Sequence, residues 1–90
     1  MQTARGLALS ILGEIFQDGA FSNIALKKSL GKATLSEVDK SLVTEIVYGT
    51  VSRKLTLEWY LSHYVADRDQ VDPWIYHLLL MSLYQFVYLE

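Results

Sequence analysis

Apolar positions recur at helical spacing through most of the chain, and turn-forming residues cut them into separate segments. From Thr3 to Asp18, residues Leu7, Ala8, Ile11, Leu12, Ile15 and Phe16 fall three and four apart, which predicts an amphipathic helix with one buried stripe. Asp18-Gly19 ends it, because glycine takes the left-handed conformation that closes a helix. Ser22 or Asn23 is placed to cap a short second helix to about Leu30, with Ile24, Leu26 and Leu30 as contacts and Gly31 as its stop. Ser36 starts a third helix: Ser36-Glu37-Val38-Asp39 approximates a capping box with Asp39 in place of Glu or Gln. Two acids in its first turn suit the helix dipole. Its stripe reads Val38, Leu42, Val43, Ile46, Val47 and Val51. A bend is expected near Lys54 to Thr56. A fourth helix then runs to about Val65, carrying Leu57, Trp59, Tyr60, Leu61 and Tyr64.

Residues 66–70, ADRDQ, read as a charged loop. Asp72-Pro73 gives an N-cap and a proline at the first helical position, a strong start signal. The fifth helix then carries WIYHLLLMSLYQFVYL, apolar nearly all round, and such a helix is buried on most sides. At about 16 residues it falls short of the ~20 a bilayer requires. A surrounded helix needs neighbours, and four short helices on one side do not supply them all. The expectation is a C-terminally truncated helical bundle, with an exposed fifth helix through which two copies would pair as a homodimer.

Composition narrows the chemistry. The hydrophobic fraction of 51% is ample for one core in 90 residues. There is no cysteine, which removes disulfides and thiolate metal sites and fits a reducing cytoplasm. One Arg precedes an N-terminal apolar stretch broken by Gly13 and Glu14, a poor signal peptide. The net charge of −2 excludes a broadly basic nucleic-acid binder; any grip on RNA uses a local cluster with a shallow salt dependence. The glycines stand at 6, 13, 19, 31 and 49, so no phosphate-cradling G-x-G loop exists. His63 and His77 lie on different helices without an acid at ligand spacing. Asp67, Asp69 and Asp72 lack the glycine and glutamate of a calcium loop. No catalytic or metal-ligating set is expected.

Two basic groups remain: Lys27, Lys28 and Lys32, and Arg53-Lys54 beside the bend. Arg5 joins one of them if the first and third helices are neighbours. Tyr48, Trp59, Tyr60, Tyr64, Trp74, Tyr76, Tyr84 and Tyr88 can stack on bases, but at helical spacing most are expected to pack, with a polar tip outward. Gly49 sits in a helix interior at a cost of roughly 1 kcal/mol against alanine. The expectation is that the first or fifth helix crosses at Tyr48-Gly49, where a missing side chain permits close approach.

Together, AR-x-LALSILGEI, G-A-F-S-N-x-AL, VDKSLVTEIVYGTVSRKLTLEWYL and LLLMSLYQFVYL resemble the NusB-like domain at the N-terminus of the RsmB/Sun/Fmu ribosomal RNA methyltransferases. The resemblance covers Ala4 to Leu89 and is strongest from Asp39 to Arg53. It implies an all-α NusB-like fold of about five helices here, with two or so more after a segment like YQFVYL. Enzymes of this family methylate C5 of a cytosine in small-subunit ribosomal RNA with S-adenosylmethionine, through a catalytic domain that lies further along and uses a cysteine. That chemistry needs a soft nucleophile to add to the neighbouring ring carbon, and serine is a far poorer one without an activating base. The resemblance therefore implies a non-catalytic accessory domain of an enzyme, with the cofactor belonging to the parent.

Its expected partners are ribosomal RNA, through Arg5, Lys27, Lys28, Arg53 and Lys54 as phosphate contacts, and its own C-terminal methyltransferase domain. A second reading is a protein-interaction module that docks on that domain or on a ribosomal protein. A third is a transcription antitermination factor like free-standing NusB. The arginine-rich N-terminus of NusB is represented here by Arg5 alone, which favours the methyltransferase appendage.

Overall fold

A computed structural model describes residues 3–89. Helix α1 spans Ala4–Phe16. The Thr3 hydroxyl accepts from the Gly6 amide at 3.0 Å, satisfying one of the donors a helix start leaves free. Ala4, Leu7, Ala8, Ile11 and Leu12 are buried, and the chain then reverses at Gly19, with φ of +77°. Helix α2 spans Ser22–Lys32. Neither Ser22 nor Asn23 caps it: Phe21 holds that place without a side-chain bond. Gly31 lies inside the helix instead of stopping it. Ala25 and Leu26 anchor this helix in the core, and that packing outweighs weak local end signals.

Helix α3 spans Glu37–Ser52, and the Ser36 hydroxyl accepts from the Asp39 amide at 3.1 Å. Val43, Ile46 and Val47 are fully enclosed, each contributing about 1.5–3 kcal/mol of burial. Val38 departs from the expected stripe and is 79% exposed; at 3.6 residues per turn it lies roughly 130° round from the stripe's centre. The bend falls at Arg53 (φ −110°, ψ 18°), just ahead of the expected place. Helix α4 spans Lys54–Leu61 and stops short of Val65. There the Ser62 hydroxyl donates to the Trp59 carbonyl at 2.6 Å and the His63 ring meets the same oxygen at 3.0 Å. Only Leu57 and Leu61 of this helix are buried, because one i, i+4 pair faces the interior of so short an element.

The charged loop contains a 3-10 turn, Arg68–Gln70, held where the Asp67 carboxylate accepts from the Asp69 amide at 3.0 Å. Helix α5 spans Pro73–Tyr84, with proline in the first turn and Asp72 making no side-chain cap bond. A π-helical turn, Gln85–Leu89, continues it. Tyr76, His77, Leu80, Met81 and Tyr84 are buried, so α5 encloses its inner face alone. Phe86 in the final turn is 80% exposed, against the expectation of burial on most sides.

The result is an all-α bundle with two adjoining apolar clusters. The first is built by α1, α2 and α3 with Met81; the second by Leu57, Leu61, Tyr76, Leu80 and Tyr84 of α4 and α5. Leu80 and Met81 are neighbours on α5, and Phe16 packs against both clusters.

The glycine of α3 explains how α5 seats. A methyl group on Gly49 would overlap the Tyr84 ring, so the ring occupies the space a side chain would fill. Tyr48, expected at the same crossing, is exposed, because one residue turns it about 100° away. One residue beyond Gly49, the Thr50 hydroxyl is buried and makes no hydrogen bond among the described residues.

Gly49→Leu is expected to overpack this seat and lower stability by about 1–3 kcal/mol; Tyr84→Ala added to it should recover part of that loss, both read by urea denaturation. Thr50→Val removes an unpaired buried hydroxyl at constant shape, so its midpoint should stay level or rise.

Candidate nucleic-acid interface

Helices α1 and α5 run antiparallel along each other. At one end the Arg5 guanidinium donates to the Gln85 side-chain oxygen at 2.6 Å; at the other the Phe16 and His77 rings stand 5.4 Å apart. Gln85 in turn donates to the Met81 carbonyl at 3.2 Å, which fixes the acceptor for Arg5. On the neighbouring side the Arg53 guanidinium lies 4.4 Å over the Tyr88 ring. Tyr88 stacks on Tyr84 at 5.4 Å, and the Tyr84 hydroxyl donates to Glu45 at 3.2 Å. Burial, followed by the Glu45 bond, raises the Tyr84 pKa, which keeps the phenol protonated as a donor. Two guanidinium groups from different helices are thus oriented around the end of α5. Stacking leaves the in-plane N–H donors of Arg53 free for phosphate, a group that arginine suits by its fork geometry.

Beside Arg53 an open groove of about 530 Å³ runs along α3, lined by Ser41, Thr44, Tyr48 and Ser52, by the Glu45 carboxylate that Tyr84 engages, and by Tyr84 against Gly49. Hydroxyls and an exposed aromatic next to a cation are the side-chain types that contact a phosphate–sugar chain.

The other expected cations are dispersed. Lys54 sits 4.0 Å from Glu58 and 5.1 Å over the Phe16 ring. Glu58 also accepts from Arg68 at 2.9 Å and from the Tyr76 hydroxyl at 3.2 Å, and Arg68 stacks 4.4 Å over Tyr76. Exposed pairs contribute little to stability; what this set does is pin the 3-10 turn onto α4 and α5. Burial and then Glu58 raise the Tyr76 pKa. Lys27 and Lys28 are exposed on α2, which packs on α1 and α3. Adjacency in sequence did not bring Arg53 and Lys54 to one face.

Sequence reasoning missed Gln85, and it named Tyr88 only among the aromatics able to stack on bases, not as the residue that orients Arg53. Their spacing with Met81 and Tyr84 on one helix was the available signal. Most of the aromatics are also not core residues. Tyr76 and Tyr84 are buried, whereas Tyr48, Trp59, Tyr60, Tyr64, Trp74 and Tyr88 are exposed. Trp59 is wedged edge-on by Tyr60 at 5.1 Å and by His63 at 4.7 Å. So small a bundle lacks the interior volume to enclose them all. Among the described residues no group of acids and histidines is placed to hold a metal ion, and no helix is long and apolar enough to cross a membrane.

A model of the NusB family matches residues 2–90. The chain is 39% identical over 88 residues, 98% of its length, to a probable ribosomal RNA small subunit methyltransferase B of Bacillus subtilis. It is 34% identical over 92 aligned positions, 100% of its length, to a protein of the same description from Synechocystis. It spans about a fifth (20%) of the length of each of these relatives. No solved structure matches it significantly.

His77 gives the fold a pH dependence. It is 4% exposed, and burial, followed by the charges of Arg68 and Lys54, lowers its pKa. The unfolded chain therefore binds a proton more readily, near pH 6.5. The contribution is complete above that pH and declines as pH falls from about 6.5 towards the lower folded value. Thermal melts from pH 7.5 to 5 should show a falling midpoint, and His77→Phe should flatten that part of the profile.

Proposed function

Because the chain belongs to the NusB family, we propose that it is the accessory RNA-recognition domain of an S-adenosylmethionine-dependent ribosomal RNA cytosine-C5 methyltransferase. The observation that carries this reading is the match of 98% of the chain, at 39% identity, to a fifth of a protein described as a ribosomal RNA methyltransferase. A chain without cysteine cannot supply the family's nucleophile, so its own part is to hold RNA for a catalytic domain in the cytoplasm. Arg53, stacked on Tyr88, and Arg5, held by Gln85, are the principal phosphate contacts. Lys27 and Lys28, exposed on α2 and apart from the two arginines, are a separate phosphate contact. Lys54 contributes least, since Glu58 already neutralises it. These groups position the RNA without reading its sequence.

The exposed end of α5 supports a second role for the same domain, docking on its own catalytic domain or pairing with another copy. Phe86, Val87, Tyr88 and Leu89 present an apolar turn there, and such patches mark interaction sites. An antitermination role is disfavoured by the single arginine in the first helix.

Filter binding of a small-subunit ribosomal RNA fragment across a salt series tests the RNA reading. Arg53→Ala should weaken binding and reduce the log–log salt slope by about 1, Lys54→Ala should change it little, and unchanged binding in Arg5→Ala/Arg53→Ala would remove this end of the molecule from the interface.

A further inference from the structure

The α3 groove beside Arg53 holds a carboxylate that phosphate contact leaves unexplained. Glu45, Gly49 and Arg53 follow one i, i+4 row of α3, and all three line the groove. Glu45 is exposed and makes no salt bridge among the described residues. Arg53 shares the groove, yet its guanidinium is turned onto Tyr88 and does not neutralise it. A carboxylate left unpaired beside a phosphate-binding arginine repels an RNA backbone unless it accepts hydrogen bonds from another part of the strand.

This carboxylate is also held in place. The Tyr84 hydroxyl, on a side chain only 3% exposed, donates to it at 3.2 Å. The polar tip of a core tyrosine is thereby aimed at a groove residue. Gly49 removes the side chain that would stand between Glu45 and Arg53, and the Tyr84 ring fills the space there. Glu45 and Arg53 stand about 12 Å apart along the axis, at a rise of 1.5 Å per residue. Tyr48, 43% exposed, lines the same groove on the adjoining row.

We propose that this groove reads one unpaired guanine of an RNA strand, with Glu45 accepting from the N1–H and N2–H groups of the base, Tyr48 against its face, and Arg53 on its phosphate. The site rests on the RNA-recognition reading and adds a base preference to it. Proteins that select RNA sequences act mostly on unpaired bases, stacked on aromatic rings and hydrogen-bonded along their pairing edges. Guanine alone presents two adjacent N–H donors on that edge, which match the two oxygens of a carboxylate and make charge-assisted bonds to it. Adenine and cytosine each set one amino group beside a ring nitrogen whose lone pair a carboxylate repels. Uracil sets its single N–H between two carbonyl oxygens. Each carboxylate oxygen accepts more than one bond, so the Tyr84 hydroxyl orients Glu45 without blocking it. The reach of one purine nucleotide, from pairing edge to 5′-phosphate, is comparable with the separation of Glu45 and Arg53.

The test is fluorescence anisotropy of labelled short oligouridines carrying guanine, adenine, cytosine or hypoxanthine (as inosine) at one central position, titrated with the 90-residue chain. The guanine strand is expected to bind roughly fivefold or more tightly than the all-uridine strand. The inosine strand, which lacks the N2 amino group, should fall between them. Glu45→Gln should erase most of the preference while the melting temperature and the salt slope hold, since no phosphate contact is lost. Arg53→Ala should weaken every strand alike and keep the preference. Equal affinity for all strands, or a guanine preference undiminished in Glu45→Gln, overturns the base reading and leaves the RNA contact standing; binding of no strand overturns both.

Discussion

The seat of Tyr84 on Gly49 is the contact on which the rest of the arrangement depends. α5 belongs to both apolar clusters, through Met81 in one and Leu80 in the other. Its position over α3 is set where a missing side chain admits an aromatic ring. From that ring a chain of contacts leads outward: Tyr84 to Glu45, Tyr84 to Tyr88, and Tyr88 to Arg53. A helix-propensity cost at one residue thus fixes the direction of a guanidinium on the surface. Removing the glycine would disturb the core and the basic end together.

Cations are oriented locally on the surface, although the net charge is only −2. Arg5 and Arg53 are oriented at one end of the α1–α5 pair, while at the other Lys54 lies over Phe16 and is drawn, with Arg68, to Glu58. A nearly neutral domain can therefore present two oriented guanidinium groups at one end of the pair. Locally placed charge accomplishes this without the broad basic field of a general nucleic-acid binder.

The sequence by itself determined the helical class, the number of main helices and most of their starts. Thr3, Ser36 and Pro73 act through bonds or dihedral restrictions within one turn, and those are readable from neighbours alone. The resemblance to the NusB family was also legible, because it rests on residue identities from Asp39 to Arg53. The buried stripes of α1 and α3 follow from a 3.6-residue period.

Only the tertiary structure decided which surface groups act together. Arg53 and Lys54 are adjacent in the chain but are drawn apart by Tyr88 and Glu58. Arg5 and Gln85 are eighty positions apart and hydrogen-bonded. Whether an aromatic is core or surface likewise depends on how much interior five short helices can enclose, which no local window records. Helix ends without a cap, as at α2 and α4, were set by packing and by side chains competing for the last carbonyls. Periodicity reports which face of a helix is turned inward; what stands opposite that face, and what is left beside it, exists only once the helices are assembled.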